Sequence, residues 1–250
     1  MTARRFWLTL GCLAVVLLGV AWVAGTQSLV AGRPAPRSLD AVRLGPSPGQ
    51  PVAGYLAGLP SRWPLAGVGP VPALVQFDGE RDAASAARLV AGAAPANAVF
   101  RVPLPRVQTA LRFEPLPVVD LPDPAASTQR RLDLARLTAR SAAQAQAARL
   151  TGRPGEVARF EAAALGGSPA ARCVLAVLVD ADRAALERVA ARPGVRAVDA
   201  APPGTPLAGV ALAPLLPEQT ATAGPVPDDG PVPAVPAVPA APPSPVPGSG

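Results

Sequence analysis

The sequence has no histidine, no lysine and no isoleucine; it has one tyrosine, two cysteines and only 4% aromatic residues. Without histidine there is no ordinary general base near neutral pH and no imidazole metal ligand. Without lysine there is neither a Schiff-base amine nor the phosphate-binding lysine of a P-loop. What is present in quantity is proline and glycine, 34 and 23 of 250 residues, beside a hydrophobic content of 50%. That mixture allows one modest domain flanked by segments that cannot be helix or sheet. Every one of the 23 basic residues is arginine. Ala, Gly, Pro, Arg and Val share GC-rich codons, so the arginine excess reflects genome composition more than selection for a polyanion. The net charge of +6 falls by two when Arg4 and Arg5 are set aside as a membrane flank. The balance suits a solvated surface better than a nucleic-acid binder, and none is expected as partner.

The strongest signal is Phe6 to Ala24, FWLTLGCLAVVLLGVAWVA, charge-free after Arg4-Arg5 and followed by no charge until Arg33. A helix of this length approaches the thickness of a bilayer core, whereas a secretory signal has an apolar core of about 7–15 residues. Length favours an uncleaved signal-anchor. Val23-Ala24-Gly25 and Val30-Ala31-Gly32 keep the cleaved signal open as the alternative. Cys12 lies too close to Arg5 for a lipidated cysteine and is read as membrane-buried. Arg4 and Arg5 on one side are matched by Arg33, Arg37 and Arg43 on the other, so charge alone does not orient the segment. The signal-anchor layout itself places the bulk of the chain outside the cytoplasm, leaving Cys173 there without a disulfide partner.

Four regions are expected: residues 1–32, a cytoplasmic tip and transmembrane signal-anchor; 33–71, a Pro/Gly-rich spacer with a docked patch at Tyr55, Leu56 and Trp63; 72–217, an exported α+β domain; and 218–250, a disordered Pro-rich tail. Within the domain, Ala73 to Phe77 reads as a strand running into Asp78, which caps a helix over Arg81 to Ala91. Ala98 to Val102 is a second strand. Val107, Thr109, Leu111 and Phe113 alternate with Gln108, Ala110 and Arg112, the period of an amphipathic strand hairpinned to its predecessor. Asp123-Pro124 starts a long helix with no breaker before Gly152, and a second helix over Pro154 to Leu165 ends at Gly166-Gly167. The apolar run Cys173 to Val179 predicts a strand buried on both faces. Asp180 then caps a helix ended by Arg192-Pro193-Gly194, and Val195 to Val198 is a strand parallel to 173–179, since a helical crossover joins them.

Strand-Asp-helix-turn-strand thus occurs at 73–102 and at 174–199. The fold class expected is α+β: a ferredoxin-like sheet with βαβ units and an inserted long helix, its sheet covered by helices on one face, preceded by a single N-terminal transmembrane helix. Leu186 to Asp199, LERVAARPGVRAVD, resembles the end of the peptidase-inhibitor and subtilisin-propeptide module, in which a helix, a Pro-Gly turn and a Val-x-x-Val strand complete a small ferredoxin-like fold. The chain also resembles membrane-anchored proteins of high-GC actinobacteria, which implies a location and not an activity.

No motif reads as a catalytic, cofactor or metal site. Gly45-Pro-Ser47-Pro-Gly49 has the letters of a nucleophile elbow, but prolines flank Ser47 and no histidine exists to activate it. Asp78, Glu80 and Asp82 alternate as a calcium loop begins, but Ala83 and Leu89 stand where that loop needs Gly and Glu; capping explains these acids, and Asp180 with Asp182. Cys173 is read as a small buried hydrophobe, with Arg172 able to lower its pKa and an intermolecular disulfide open to it if exposed. Arg130, Arg131, Arg136, Arg140 and Arg149 on the long helix are read as solvated. The alternative is a basic face for an envelope protein or anionic polymer through Arg130, Arg131, Arg136 and Arg140. The expected function is non-enzymatic binding or assembly at the cell envelope, with a secreted protease-inhibitor or propeptide-like module as the alternative. A carboxylate-only glycan hydrolase using Glu114, Asp120 or Glu161 is disfavoured by the scarcity of aromatic walls.

Overall fold

In the computed structural model the described residues are 41–168 and 170–235. Segment 6–24, with Cys12, lies outside them; among the described residues no helix is long and apolar enough to cross a membrane. The elements are β1 (Val42–Leu44), α1 (Val52–Gly58), β2 (Val71–Arg81), α2 (Ala83–Leu89), β3 (Ala94–Phe100), β4 (Arg112–Pro115), α3 (Pro124–Arg149), α4 (Gly152–Leu165), β5 (Val174–Ala181), α5 (Arg183–Ala190), β6 (Val195–Ala200) and β7 (Val210–Leu212), with 3-10 turns at Pro60–Arg62 and Leu207–Gly209. The fold is α+β.

Five strands form one sheet in the order β4-β3-β5-β2-β6, every neighbouring pair antiparallel. The two βαβ units interleave: β5 lies between β2 and β3, and β2 lies between β5 and β6. β5 and β6 therefore run in the same direction, as their helical crossover requires, without pairing with each other.

Both expected capping acids give way to one further along, Asp78 by four residues and Asp180 by two, for one reason. β2 continues past Asp78 to pair Arg81 with Val174, and β5 continues past Asp180 to pair Ala181 with Val71. Ladder pairing prevails over the first cap available, and the acid just past the end of each strand takes the role. Asp82 accepts from Ser85 N at 2.8 Å, and Asp182 from Ala185 N at 2.8 Å. The long helix begins as read, with Asp123 accepting from Ala125 N at 2.9 Å and Pro124 in the first turn. The alternating stretch from Val107 is not one strand. Only Arg112–Pro115 pairs with β3, while Val107 is buried in a loop against Leu104 and Val157, and Phe113 is 46% exposed.

The sheet has cover on both faces, not helices on one. Val71, Ala73, Val75 and Phe77 of β2 face the helices with Ala98, Phe100, Val177, Val179 and Val198, against alanines of α2 and α3, Leu132, Leu165, Leu186 and Val189. The intervening Leu74, Val99, Leu175 and Leu178 meet Leu44 and Ala201, with Val42, Val210 and Leu212 beside them. The second cover is the parallel pair β1–β7, with α1 on Ala197 and Leu215.

The second face corrects the spacer and the tail. From residue 42 the span read as spacer is folded: Tyr55 is buried, and Trp63 donates its indole N–H to Val198 O at 3.0 Å. The proline count excluded long elements but not short ones. In the tail span, residues 218–232 lie against the domain, from Glu218 on Arg101 and a bridge between Thr222 and Pro51 to Val232.

Candidate functional site

Four polar side chains fasten the N-terminal and C-terminal segments to the second face of the sheet. β-strand alternation points Gln76 and Asp199 away from the helices, where both are fully buried. Gln76 Nε2 donates to Tyr55 Oη at 2.7 Å, and Tyr55 Oη donates to Asp199 Oδ2 at 3.0 Å. The same carboxylate accepts from Gly45 N at 2.7 Å and from Arg62 at 3.2 Å, while Gln76 Oε1 accepts from Leu215 N at 2.7 Å. Burial and the adjacent Asp199 carboxylate push the Tyr55 phenol well above its ordinary pKa, so it remains a proton donor. Gly45 has φ +119°, and a Cβ there would lie 1.8 Å from Ala213 O, so only glycine lets β1 approach β7 this closely. The buried polar atoms of Gln76, Tyr55 and Asp199 are taken up in holding chain segments, and Arg62, 42% exposed, is the member of the cluster that reaches solvent.

The second cluster borders open space. Arg101, at the end of β3, is 3% exposed and reaches Glu80 at 3.1 Å, Thr109 at 3.2 Å and both carboxylate oxygens of Glu218. The guanidinium thus takes Glu218 bidentately, the geometry in which arginine binds carboxylates most strongly. Beside it lies a cavity of about 570 Å³ walled by Pro103, Leu104, Pro105, Pro217, Val226 and Pro227. An apolar wall with one charged cluster is the composition of a binding cavity. No nucleophile or free base lines it, and the carboxylates present are held by Arg101.

The residues singled out from the sequence do not converge on one site. Asp78 pairs with Arg81, Glu80 with Arg101, and Asp82 caps α2. Among the described residues no group of three or more Asp, Glu, Cys or His is arranged as metal ligands. Ser47 sits in a turn, its N–H donating to Gln50 Oε1 at 2.9 Å. Glu161 is buried and paired with Arg112, and accepts from Ala110 N at 2.6 Å; Asp120 is exposed, and Glu114 is half-buried, its carboxyl pushed up by that burial. Cys173 is buried, and burial pushes its thiol up to about 12, prevailing over nearby arginine charge. The neighbouring Arg172 does not activate it; its Nε donates to Glu80 O at 3.0 Å.

The arginines expected as a basic face divide. Arg136 is buried and donates to Leu165 O, the end of α4, and Arg131 donates to Pro117 O at 2.8 Å and Pro95 O at 2.9 Å. Arg140 packs its side chain against Gly166, and Arg130 is exposed. Three of the four therefore tie α3 to its surroundings, which leaves no stripe of free charge along the helix. Sequence reasoning placed Tyr55 in a docked patch, and it is buried, but missed Arg101, Gln76 and Asp199 as organising residues. The available signal was a polar residue interrupting a buried apolar strand, as Gln76 interrupts Ala73 to Phe77. In comparisons with known proteins, the chain matches no family model, and no curated protein or solved structure is detectably similar.

Proposed function

We propose that this is a single-pass protein of the cell envelope, held in the membrane by residues 6–24, whose domain from residue 42 onward lies outside the cytoplasm and has a non-enzymatic role in binding or assembly. The observation that carries the reading is the charge-free segment Phe6 to Ala24, set behind Arg4-Arg5 and ahead of a folded α+β domain. The binding role is supported by the cavity beside Arg101, whose walls are proline and aliphatic and whose carboxylates are neutralised. The strand order β3-β5-β2-β6 with two βαβ crossovers supports a ferredoxin-like reading of the domain, with α3 and α4 as the insertion and β4 as an added edge.

Intact mass of the membrane-extracted protein, measured beside proteolysis of whole cells, tests this reading. Full-length mass with the domain digested from outside supports it; a full-length protein in the soluble cytoplasmic fraction ends it. The secreted inhibitor or propeptide-like alternative is supported by the helix-turn-strand formed by α5, the turn at Pro193-Gly194 and β6. It predicts a mass lacking roughly the first 25–32 residues and inhibition of secreted serine proteases, and absence of inhibition across a panel removes it.

A further inference from the structure

The cavity beside Arg101 opens towards a length of chain whose sequence repeats. Gly224-Pro-Val-Pro and Gly230-Pro-Val-Pro bracket Asp228-Asp229, and both valines are seated: Val226 lines the cavity, and Val232 packs against Leu104, Val107 and Val157. The acidic pair between them is read by the loop that ends β3. Gln108 donates its side-chain amide to Val226 O at 2.7 Å and its backbone N–H to Asp228 Oδ1 at 3.0 Å, an oxygen that Arg153 also reaches at 3.3 Å. Arg106 grips Asp229 with both limbs of its guanidinium, Nε at 2.7 Å from Oδ1. Its carbonyl accepts from Gly230 N at 2.7 Å. A Cβ on Gly230 would lie 2.2 Å from Pro105 O, so this contact requires glycine.

Two features distinguish this arrangement from ordinary packing of a chain end. Arg106 has φ +56°, the only positive φ outside glycine among the described residues, and strained backbone of this kind is kept where the surroundings demand one geometry. The ion pairs are also exposed, both members of Arg106–Asp229 by more than half, and exposed pairs are weak and salt-screened. A specific but weak attachment is a reversible one. The chain is fastened at Ala223, whose N–H donates to Gln50 O at 2.9 Å, and at Gly224, whose carbonyl accepts from Gln219 Nε2 at 2.6 Å, so release can begin just beyond it. Extended as polyproline II, residues 224–232 would reach roughly 25–30 Å from that point.

We propose that the loop 103–108, with Arg153 and Val157, is a recognition site for an acidic turn flanked by Pro-Val-Pro, filled in cis by residues 225–232 and open to the same segment of a second copy of the chain. The binding mode joins a preformed, low-entropy polyproline backbone to arginine capture of carboxylates. A second copy is the fitting occupant because its segment carries the same valines, glycine and acidic pair, and exchange of an identical element is a low-cost route to association. The proposal rests on the assembly reading and names its partner.

The test uses the full-length chain in detergent and a labelled peptide of residues 224–235. Wild type, D228N/D229N, and D228N/D229N with R106Q are titrated, and thermal melting confirms that each is folded. With its own segment weakened, D228N/D229N binds the peptide about tenfold more tightly than wild type does, and adding R106Q abolishes the gain. If folded D228N/D229N does not bind the peptide, or binds it with or without R106Q alike, the proposal is overturned. The mass and whole-cell proteolysis experiment is unaffected by either result, so failure of this site and failure of the envelope reading are told apart.

Discussion

The two faces of the sheet are covered by different physical means. On the helix side, Phe77, Phe100 and Leu186 pack into a layer of alanine and valine, so shape and apolar volume hold it. On the opposite side the cover is short, two three-residue strands and a seven-residue helix, and buried Asp199 draws Gly45, Tyr55 and Arg62 onto it. A thick layer can depend on burial alone, but short segments with little area to bury need hydrogen bonds that fail together if one partner is lost. The helix face should therefore resist local opening, while the segment face opens as a unit.

The largest effect expected is on the helix face. Phe77→Ala removes a fully buried ring and should cost about 4 kcal/mol in denaturant unfolding. Cys173 gives a second readout on the same face. Its buried thiol, pushed up to about 12, should resist alkylation at pH 8 until the domain opens, and Phe77→Ala should accelerate labelling by about a thousandfold. Rapid labelling of the wild-type protein would show that this face is not the rigid one.

Asp199→Ala should come next, at about 3 kcal/mol, because it strands the Tyr55 hydroxyl, Gly45 N–H and Arg62 at once. The comparison predicts where the loss appears. Hydrogen exchange should rise first in 42–62 and 210–223, with β5 protected; uniform loss of protection would mean that the two faces are one cooperative unit. Arg62→Ala sharpens the point, since that side chain is 42% exposed and its pairing is screened, so the expected cost is under about 1 kcal/mol.

The elements of the helix face were legible because each is written locally. Asp123-Pro124 starts the long helix, Gly166-Gly167 follows the end of its neighbour, and the run Cys173 to Val179 marks the central strand. That run also carried information not drawn from it. A strand buried on both faces requires cover on both faces, and among the described residues 42–62 and 205–223 supply it, with Leu111 beside them. They were obscured because frequent proline excludes long elements without excluding packing. The same limit applies to 218–235, where Pro-Val-Pro cannot form a ladder yet its valines and carboxylates find partners. Arg101 was invisible for another reason: its carboxylate partners lie 21 and 117 residues away in the chain, a separation no local pattern encodes.

The smallest effect expected distinguishes the C-terminal segment from both faces. Gln108 N–H and Arg153 hold Asp228, and Arg106 holds Asp229, so each carboxyl lies below its ordinary value in the docked state. A lowered pKa in the docked state means that the contribution of these acids is complete above the free aspartate value, about 3.9, and is lost as pH falls through the lower docked values. The protection factor of Gly230 N–H, which is referred to the intrinsic exchange rate at each pH, should thus be constant from about pH 7 to 5 and fall below about 4. The sheet should stay protected through that change. Salt should act in the same direction at neutral pH, because the pairs are exposed. If the segment stays docked in acid and in high salt, Val226 and Val232 hold it without help from the acids, and it belongs with the apolar layer on the helix face instead of forming a third, releasable region.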